Sequence, residues 1–171
     1  MITFRTATLT DVDALNLLVN SAYRGDSSKK GWTTEADLLG GQRTDAEKIK
    51  EMIQDPFSRI ELAMENDQIL GCVYLKQENE ALYFGMLTVN PDLQAKGIGK
   101  LLINHLESVA HHLKCHTIRM TVISVRTELI AFYERRGYKF TGKTEPFPEN
   151  DPRFGLPKTK LLFHEFAKKL V

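Results

Sequence analysis

The segment Gln94-Ala95-Lys96-Gly97-Ile98-Gly99-Lys100 carries the clearest chemistry in this chain of 171 residues. A glycine-rich turn of this kind can aim consecutive backbone N–H groups at one anion. When a helix follows, the partial positive charge at its N-terminus strengthens the attraction, and Lys96 and Lys100 add full charges. The ligand such a turn suits is a phosphate-bearing cofactor. Spacing excludes two common versions of it. The dinucleotide pattern Gly-x-Gly-x-x-Gly needs a third glycine where this chain has Leu102, and the nucleoside triphosphate pattern Gly-x-x-x-x-Gly-Lys-Ser/Thr is matched only by Gly99-Lys100.

The elements around the turn come in the order needed to hold it. Leu82 to Val89 is an apolar run that reads as a strand, ended by the turn signal Asn90-Pro91. Beyond the glycines, Ile98, Leu101, Leu102, Leu106, Val109 and Leu113 recur at helical spacing, which predicts a helix over 97–113. Thr117–Ile123 predicts another strand. A second block, residues 129–140, crowds Leu129, Ile130, Phe132 and Tyr133 on one side of a short helix that Gly137 can end, and Tyr138-Lys139-Phe140 alternates like a strand.

Together the two blocks resemble the GCN5-related N-acetyltransferases, the GNAT superfamily. Leu87-x-Val89-x-Pro91 followed by Gln94-x-x-Gly97-x-Gly99 is similar to that family's acetyl-coenzyme A signature, and Phe132-Tyr133-Glu134-x-x-Gly137-Tyr138 to its Phe-Tyr-Glu-x-x-Gly-Phe/Tyr element. The resemblance follows nearly the whole chain in element order and is sharpest over 85–140. It implies acetyl-CoA as co-substrate and no metal. The turn Gln94, Ala95, Lys96, Gly97, Ile98, Gly99 and Lys100 would hold the cofactor pyrophosphate, and the backbone of Leu87 and Val89 would pair with the pantetheine arm. A β-bulge on that strand opens the cofactor cleft in the family, and Gly85-Met86-Leu87 is the place for it here. Tyr133 would stand beside the thioester sulfur as proton donor to the departing thiolate. Residue pattern alone leaves Tyr133 as helix-face packing beside Phe132.

Two positions depart from the family pattern. Gly85 stands where many relatives carry a carboxylate, two residues before the Leu-x-Val, so a water chain is the expected general base. Glu35 and Asp37 can attract a cationic amine or relay its proton, and Tyr83 and Ser124 can hold a water that does so. Each of these also reads as an ordinary solvated or packed side chain. Arg126 stands where relatives often carry an asparagine that contacts the pantetheine arm; it either reaches a cofactor phosphate or begins an exposed helix. Two stretches are expected to form the acceptor pocket: residues 24–43, with the sole tryptophan, Trp32, and residues 144–158. The second holds four prolines, Phe147, Phe154 and the acidic Glu145, Glu149 and Asp151, and reads as a stiff cover suited to a small primary amine.

The remaining elements complete an α/β reading. Ile2–Thr8 opens as a strand, and Thr10 caps a helix with Leu15, Leu18, Val19 and Ala22 inward. Thr44-x-x-Glu47 reads as a capping box for a helix burying Ile49, Met52 and Ile53. Ile60–Met64 and Ile69–Lys76 make a hairpin through Asn66-Asp67, and Lys160–Phe166 is a last strand. The expected fold is a single domain, 1–171, with a GNAT-like mixed, mostly antiparallel sheet, helices on both faces and the order βααβββαβαβ.

Composition narrows the function classes. A formal charge of +1 argues against a dedicated nucleic-acid binder, and no apolar run approaches the ~20 residues that cross a membrane. Cys72 and Cys115 lack metal-ligand spacing, His105, His111, His112 and His116 find no completing ligand, and a reduced, cytoplasmic setting without a signal peptide is the simplest fit. The expected function is an acetyl-CoA-dependent N-acetyltransferase acting by direct attack in a ternary complex on a small amine or amino-acid derivative. The alternatives are a protein or peptide N-acetyltransferase and a non-catalytic acyl-CoA sensor. A homodimer is compatible with such folds, though no residue specifies an interface.

Overall fold

In the computed structural model, which describes residues 1–24, 34–36, 39–40, 43–148, 156–158 and 160–170, strand β1 (Thr3–Thr6) leads through a 3-10 turn at Leu9–Asp11 into helix α1 (Val12–Tyr23). The cap is not Thr10. Asp11 accepts the Thr8 backbone N–H at 2.8 Å and both Arg5 guanidinium nitrogens at 2.9 Å, so a carboxylate pinned to β1 sets where the helix begins. After β2 (Leu39–Gly40), helix α2 (Ala46–Gln54) is likewise capped one residue later than the sequence suggests. Asp45 accepts from the Lys48 N–H at 2.7 Å, while Thr44 is buried. The aspartate wins because its charge also faces the positive helix end.

Strands β3 (Ser58–Glu65), β4 (Gln68–Glu78) and β5 (Ala81–Val89) form a meander. A 3-10 turn at Pro91–Lys96 and Gly97 lead into α3 (Ile98–His112), followed by β6 (Thr117–Ile123), α4 (Thr127–Glu134), β7 (Lys139–Pro146), β8 (Leu156–Pro157) and β9 (Leu162–Lys169). Among the described residues seven strands make one sheet in the order β1-β3-β4-β5-β6-β9-β7, with β5–β6 its only parallel pair. The expected mixed, mostly antiparallel sheet is therefore present. Its chain order differs from the expected string after α4, where two sheet strands stand, and in the small β2–β8 ladder that joins the 24–43 and 144–158 stretches.

Helices cover both faces. α1 and α2 pack on Ile60, Leu62, Met64, Cys72 and Met86. α3 and α4 pack on Leu82, Phe84, Leu87, Val89, Ile118 and Met120. Among the described residues no helix is long and apolar enough to cross a membrane, and no group of three or more histidine, cysteine or acidic side chains is placed to hold a metal ion.

One irregularity in β5 shapes the rest. Leu82 and Phe84 share the α3 face, and so do Leu87 and Val89, although an unbroken alternation would put these pairs on opposite faces. The phase changes because Tyr74 opposes Gly85 while Cys72 opposes Thr88, leaving Met86 and Leu87 opposite Val73 alone. Met86 takes φ +53°, unusual for a residue with a side chain. The bulge thus falls in the predicted Gly85-Met86-Leu87 stretch, on the methionine and not the glycine. Beyond it the contact between β4 and β5 is close. A Cβ on Gly71 would lie 2.4 Å from the Thr88 carbonyl oxygen, so Gly71→Ala must push the two strands apart. We expect a loss of about 1–3 kcal/mol, seen as a lower urea midpoint with an unchanged slope.

Candidate active site

The predicted anion turn is built as its residue types require. Gly97 takes φ +75°, a left-handed conformation open to glycine at little cost, and nothing lies within 4 Å of where its Cβ would be. The first α-helical bond runs from the Leu101 N–H to the Gly97 carbonyl, 3.1 Å, so the amides of Ile98, Gly99 and Lys100 have no acceptor within the helix. Gly97, Gly99 and Lys100 border a crevice of about 500 Å³ whose other side is lined by Ala131, Phe132, Arg135 and Arg136. Arg136 lies 3.7 Å from the Phe132 ring centroid and donates to the Phe132 carbonyl at 2.7 Å. Desolvation lowers its pKa from the ordinary value. Arg135 and Arg136, which sequence alone reads as part of a solvated basic face, are therefore walls of this crevice.

The other predicted turn residues divide. Gln94 and Ala95 are placed in the 3-10 turn by their backbone. Ile98 is buried, and with Lys96 it lines a separate hollow beside Ile2, Glu65 and Gln68 and not the crevice.

The second cavity, about 520 Å³, exists because two strands part. β5 and β6 pair only through Ala81–Tyr83 and Thr117–Arg119, although each strand runs on, to Val89 and Ile123. Met86 bends β5 away at the bulge, while β9 holds the far edge of β6 along its whole length. Phe84–Leu87 and Met120–Ile123 form the two sides, and α4 supplies Leu129 and Tyr133, one turn apart. Because α4 also contributes Ala131 and Phe132 to the crevice above the glycine turn, the two cavities share it as a wall.

Tyr133 is 4% exposed, with its ring among Phe84, Phe132 and Tyr138 at centroid distances of 5.8, 5.3 and 6.1 Å. Burial pushes its hydroxyl well above the usual phenol range, so it stays protonated. Gly137 ends α4 with φ +93°, and the Tyr138 N–H returns to the Tyr133 carbonyl at 3.2 Å, fixing the tyrosine's position on the helix.

Groups the sequence did not single out surround the cleft. Tyr23, at the end of α1, donates its hydroxyl to the Leu87 carbonyl just past the bulge. Burial raises its pKa to about 12. The Arg43 guanidinium lies 5.3 Å from the Tyr23 ring. Glu35 is hydrogen-bonded and ion-paired to Arg24 and lies 3.6 Å from Arg126. Arg126 thus lines the cleft beside Glu35 and not the crevice at the glycine turn. Arg119, bonded to Glu78 and 3.3 Å from Glu165, lies 4.9 Å from the Tyr83 ring.

Of the predicted acceptor residues, Glu35 and Tyr83 reach the cleft. Ser124 is not among its lining residues, and its backbone N–H bonds Leu162 at 2.8 Å. Trp32 and Asp37 lie outside the described residues, as do Glu149, Asp151 and Phe154. Phe147 and Glu145 do line the cleft, and Phe147 packs against Ile123 and Leu161. The only sequence signals for the missed groups were the phase break at Met86 and the Arg135-Arg136 pair directly after the Tyr133 block.

Two buried acids behind the cleft set an alkaline limit. Burial raises both Tyr23 and Cys72 to about 12, from 10.0 and 9.0. Between those values the unfolded chain releases protons that the folded chain keeps, so stability falls as pH rises. The slope approaches about 1.4 kcal/mol per pH unit for each group while the two states differ by one proton. Urea midpoints at pH 8 and 10.5 measure it, and Cys72→Ala is expected to flatten the fall.

The comparisons with known proteins agree with this architecture. An uncharacterized protein of Bacillus subtilis (strain 168), YdhI, is 29% identical over 76 residues, 44% of this chain and 46% of that protein. The peptidyl-lysine N-acetyltransferase YjaB of Salmonella typhimurium (strain LT2) is 28% identical over 101 residues, 57% of this chain and 63% of its own length. The chain therefore spans less than two thirds of either relative. The crystal structure of the ribosomal-protein-S18-alanine N-acetyltransferase from Escherichia coli shares the fold, with a TM-score of 0.73 at 15% identity over 99% of this chain and 94% of that one. The family model of the acetyltransferase (GNAT) domain matches residues 28–151, more than half of the chain, and the protein accordingly belongs to the GNAT acetyltransferase family.

Proposed function

We propose that the whole chain is one N-acetyltransferase domain, moving an acetyl group from acetyl-CoA to the amine of a small acceptor by direct attack in a ternary complex. The observation that carries this reading is the shared α4 wall. A crevice with helix-start amides and cations borders one side of the helix, and a splayed-strand cleft with a buried, protonated phenol borders the other.

The residues present fit acetyl-CoA. The amides of Gly99 and Lys100, with the charges of Lys100, Arg135 and Arg136, suit its pyrophosphate, and the freed edge of β5 at Leu87–Val89 suits its amide-bearing arm. Bound there, it would supply an activated acetyl thioester. The acceptor nitrogen donates its lone pair to the acetyl carbon as the carbon–sulfur bond breaks, ending with one proton fewer while the sulfur ends with one more. Tyr133 gives the sulfur its proton and regains one from water. Gly85 offers no carboxylate, and the charge of Glu35 is committed to Arg24 and Arg126, so the nitrogen's proton leaves through water. Tyr23 acts as a positioning residue: its hydrogen bond holds the Leu87 peptide where the strand has lost its neighbour.

Release of free CoA thiol from acetyl-CoA, measured across amines, amino acids and short peptides, tests the reaction. Acceptor-dependent release supports transfer. Tight acetyl-CoA binding with no release for any acceptor would instead favour a sensor. Similarity to a peptidyl-lysine N-acetyltransferase keeps a peptide acceptor as the second reading, which lysine peptides in the same assay examine directly.

A further inference from the structure

The bulge in β5 borders a second hollow besides the cleft. Beside α2, a space of about 190 Å³ is walled by Met52 from the helix, Tyr74 from β4, and Tyr83, Gly85 and Met86 from β5. Tyr83, Gly85 and Met86 also line the cleft, so the two spaces adjoin across this stretch of strand. Arg43 is shared as well, and Thr44 and Lys48 complete the described lining. The Lys48 ammonium lies 3.9 Å from Glu51 and the Arg43 guanidinium 5.3 Å from the Tyr23 ring, so both charged heads have contacts outside that lining.

A glycine keeps the border between the two spaces thin. The φ of Gly85 lies outside the left-handed region, so its backbone conformation does not call for glycine. The three atoms nearest to where a Cβ would stand all belong to Tyr83, with the hydroxyl oxygen closest at 3.1 Å. A side chain at this position would therefore press on Tyr83 where cleft and hollow meet. The Tyr83 ring is itself held, edge-on to Tyr74 at a centroid distance of 6.4 Å and 4.9 Å from the Arg119 guanidinium.

Resting on the transferase reading above, we infer that this hollow receives the side chain of the acceptor, and that the acceptor is an amine carrying one aromatic ring or an apolar group of similar size. Size and wall chemistry favour that occupant. A cavity of roughly 150 Å³ is enough to take up benzene, so this one admits a single ring and little more. Thioethers and ring edges are favourable neighbours for an aromatic group, and Met52, Met86, Tyr74 and Tyr83 supply two of each. With the ring lodged there, the nitrogen of the same molecule stays in the cleft. Gly85 is then a specificity-determining position, because any larger residue narrows the way between the two spaces.

The test uses the purified full chain and amines matched in charge: a phenylalkylamine series of increasing chain length, its straight-chain and naphthyl counterparts, ethylamine and a lysine peptide. CoA release is recorded, together with calorimetric binding of each amine to protein saturated with CoA. For the best phenylalkylamine the expected kcat/KM exceeds that of ethylamine at least about tenfold, the low end of what added apolar groups gain in a hydrophobic pocket. Met52→Trp fills the hollow from the helix side and should erase that ratio through KM. Met52→Ala enlarges the hollow and should move the preference to the naphthyl amine, a gain that a merely loosened fold would not produce. Gly85→Ala, acting from the strand side, should lower the same ratio. Ring-selective binding without turnover would sustain this inference and count against the transferase reading alone. Equal use or equal binding of phenylalkylamine and ethylamine, a preference for the lysine peptide, a preference unmoved by both Met52 variants, or binding of none of the set would overturn it.

Discussion

Tyr133→Phe is expected to lower turnover by about a hundredfold, the lower end of what a positioned proton donor contributes, with acetyl-CoA affinity nearly unchanged. The two effects separate because ring and hydroxyl have different tasks. The ring is packed among Phe84, Phe132 and Tyr138, and phenylalanine keeps those contacts. Tyr133 lines the cleft, and its hydroxyl, held well above the ordinary phenol pKa by burial, remains a donor throughout the working range. Its loss should therefore appear in kcat and not in binding. The wild-type rate should also show no alkaline fall from this group below pH ~10. Steady-state kinetics beside calorimetry with acetyl-CoA decide the matter, and an unchanged kcat in the variant would remove the acid assignment.

Gly97→Asp is expected to abolish acetyl-CoA binding in a protein that still folds. The left-handed conformation at φ +75° costs a substituted residue about 1–2 kcal/mol, with aspartate and asparagine among the best tolerated, and the open space around the Cβ adds no clash. The new carboxylate would stand beside the amides that face the pyrophosphate. Two like charges ~4 Å apart near a protein surface repel by about 4 kcal/mol, roughly a thousandfold in Kd. Gly97→Asn makes the same backbone demand without charge and should bind within about tenfold of wild type. Calorimetry that finds the aspartate and asparagine variants equal would show that the turn does not hold the phosphates.

How far the site was legible depended on whether its signal was local. Gly97, the helix of Ile98–His112 and the Gly137 stop could be read because each rests on its own backbone conformation or periodicity. The same holds for the sheet's main strands. Tyr23, Arg24 and Arg43 could not be read, because their role arises when α1 and the segment before α2 fold against β5, a strand distant in sequence; Tyr23 and Leu87 are 64 positions apart. Arg126 illustrates a middle case. Its place at the start of α4 was plain, yet its direction was set by Glu35, a partner 91 positions earlier. Caps failed for a similar reason. Thr10 and Thr44 are sound capping residues, but Asp11 is bonded to Arg5 on a strand and Asp45 sits one step nearer the helix.

The cleft is, in the end, a matter of one surplus residue. Between the pairs Tyr74–Gly85 and Cys72–Thr88, β4 has one residue and β5 has two. Removing that extra unit would put Leu82, Phe84, Leu87 and Val89 in a single unbroken alternation, with the core face intact and the reason for the bend gone. The α3 side of the core and the opening are therefore separately encoded: deleting a single codon from β5 would seal the pocket and keep that side's packing, at the expense of one side chain, Met86, from the layer under α1 and α2.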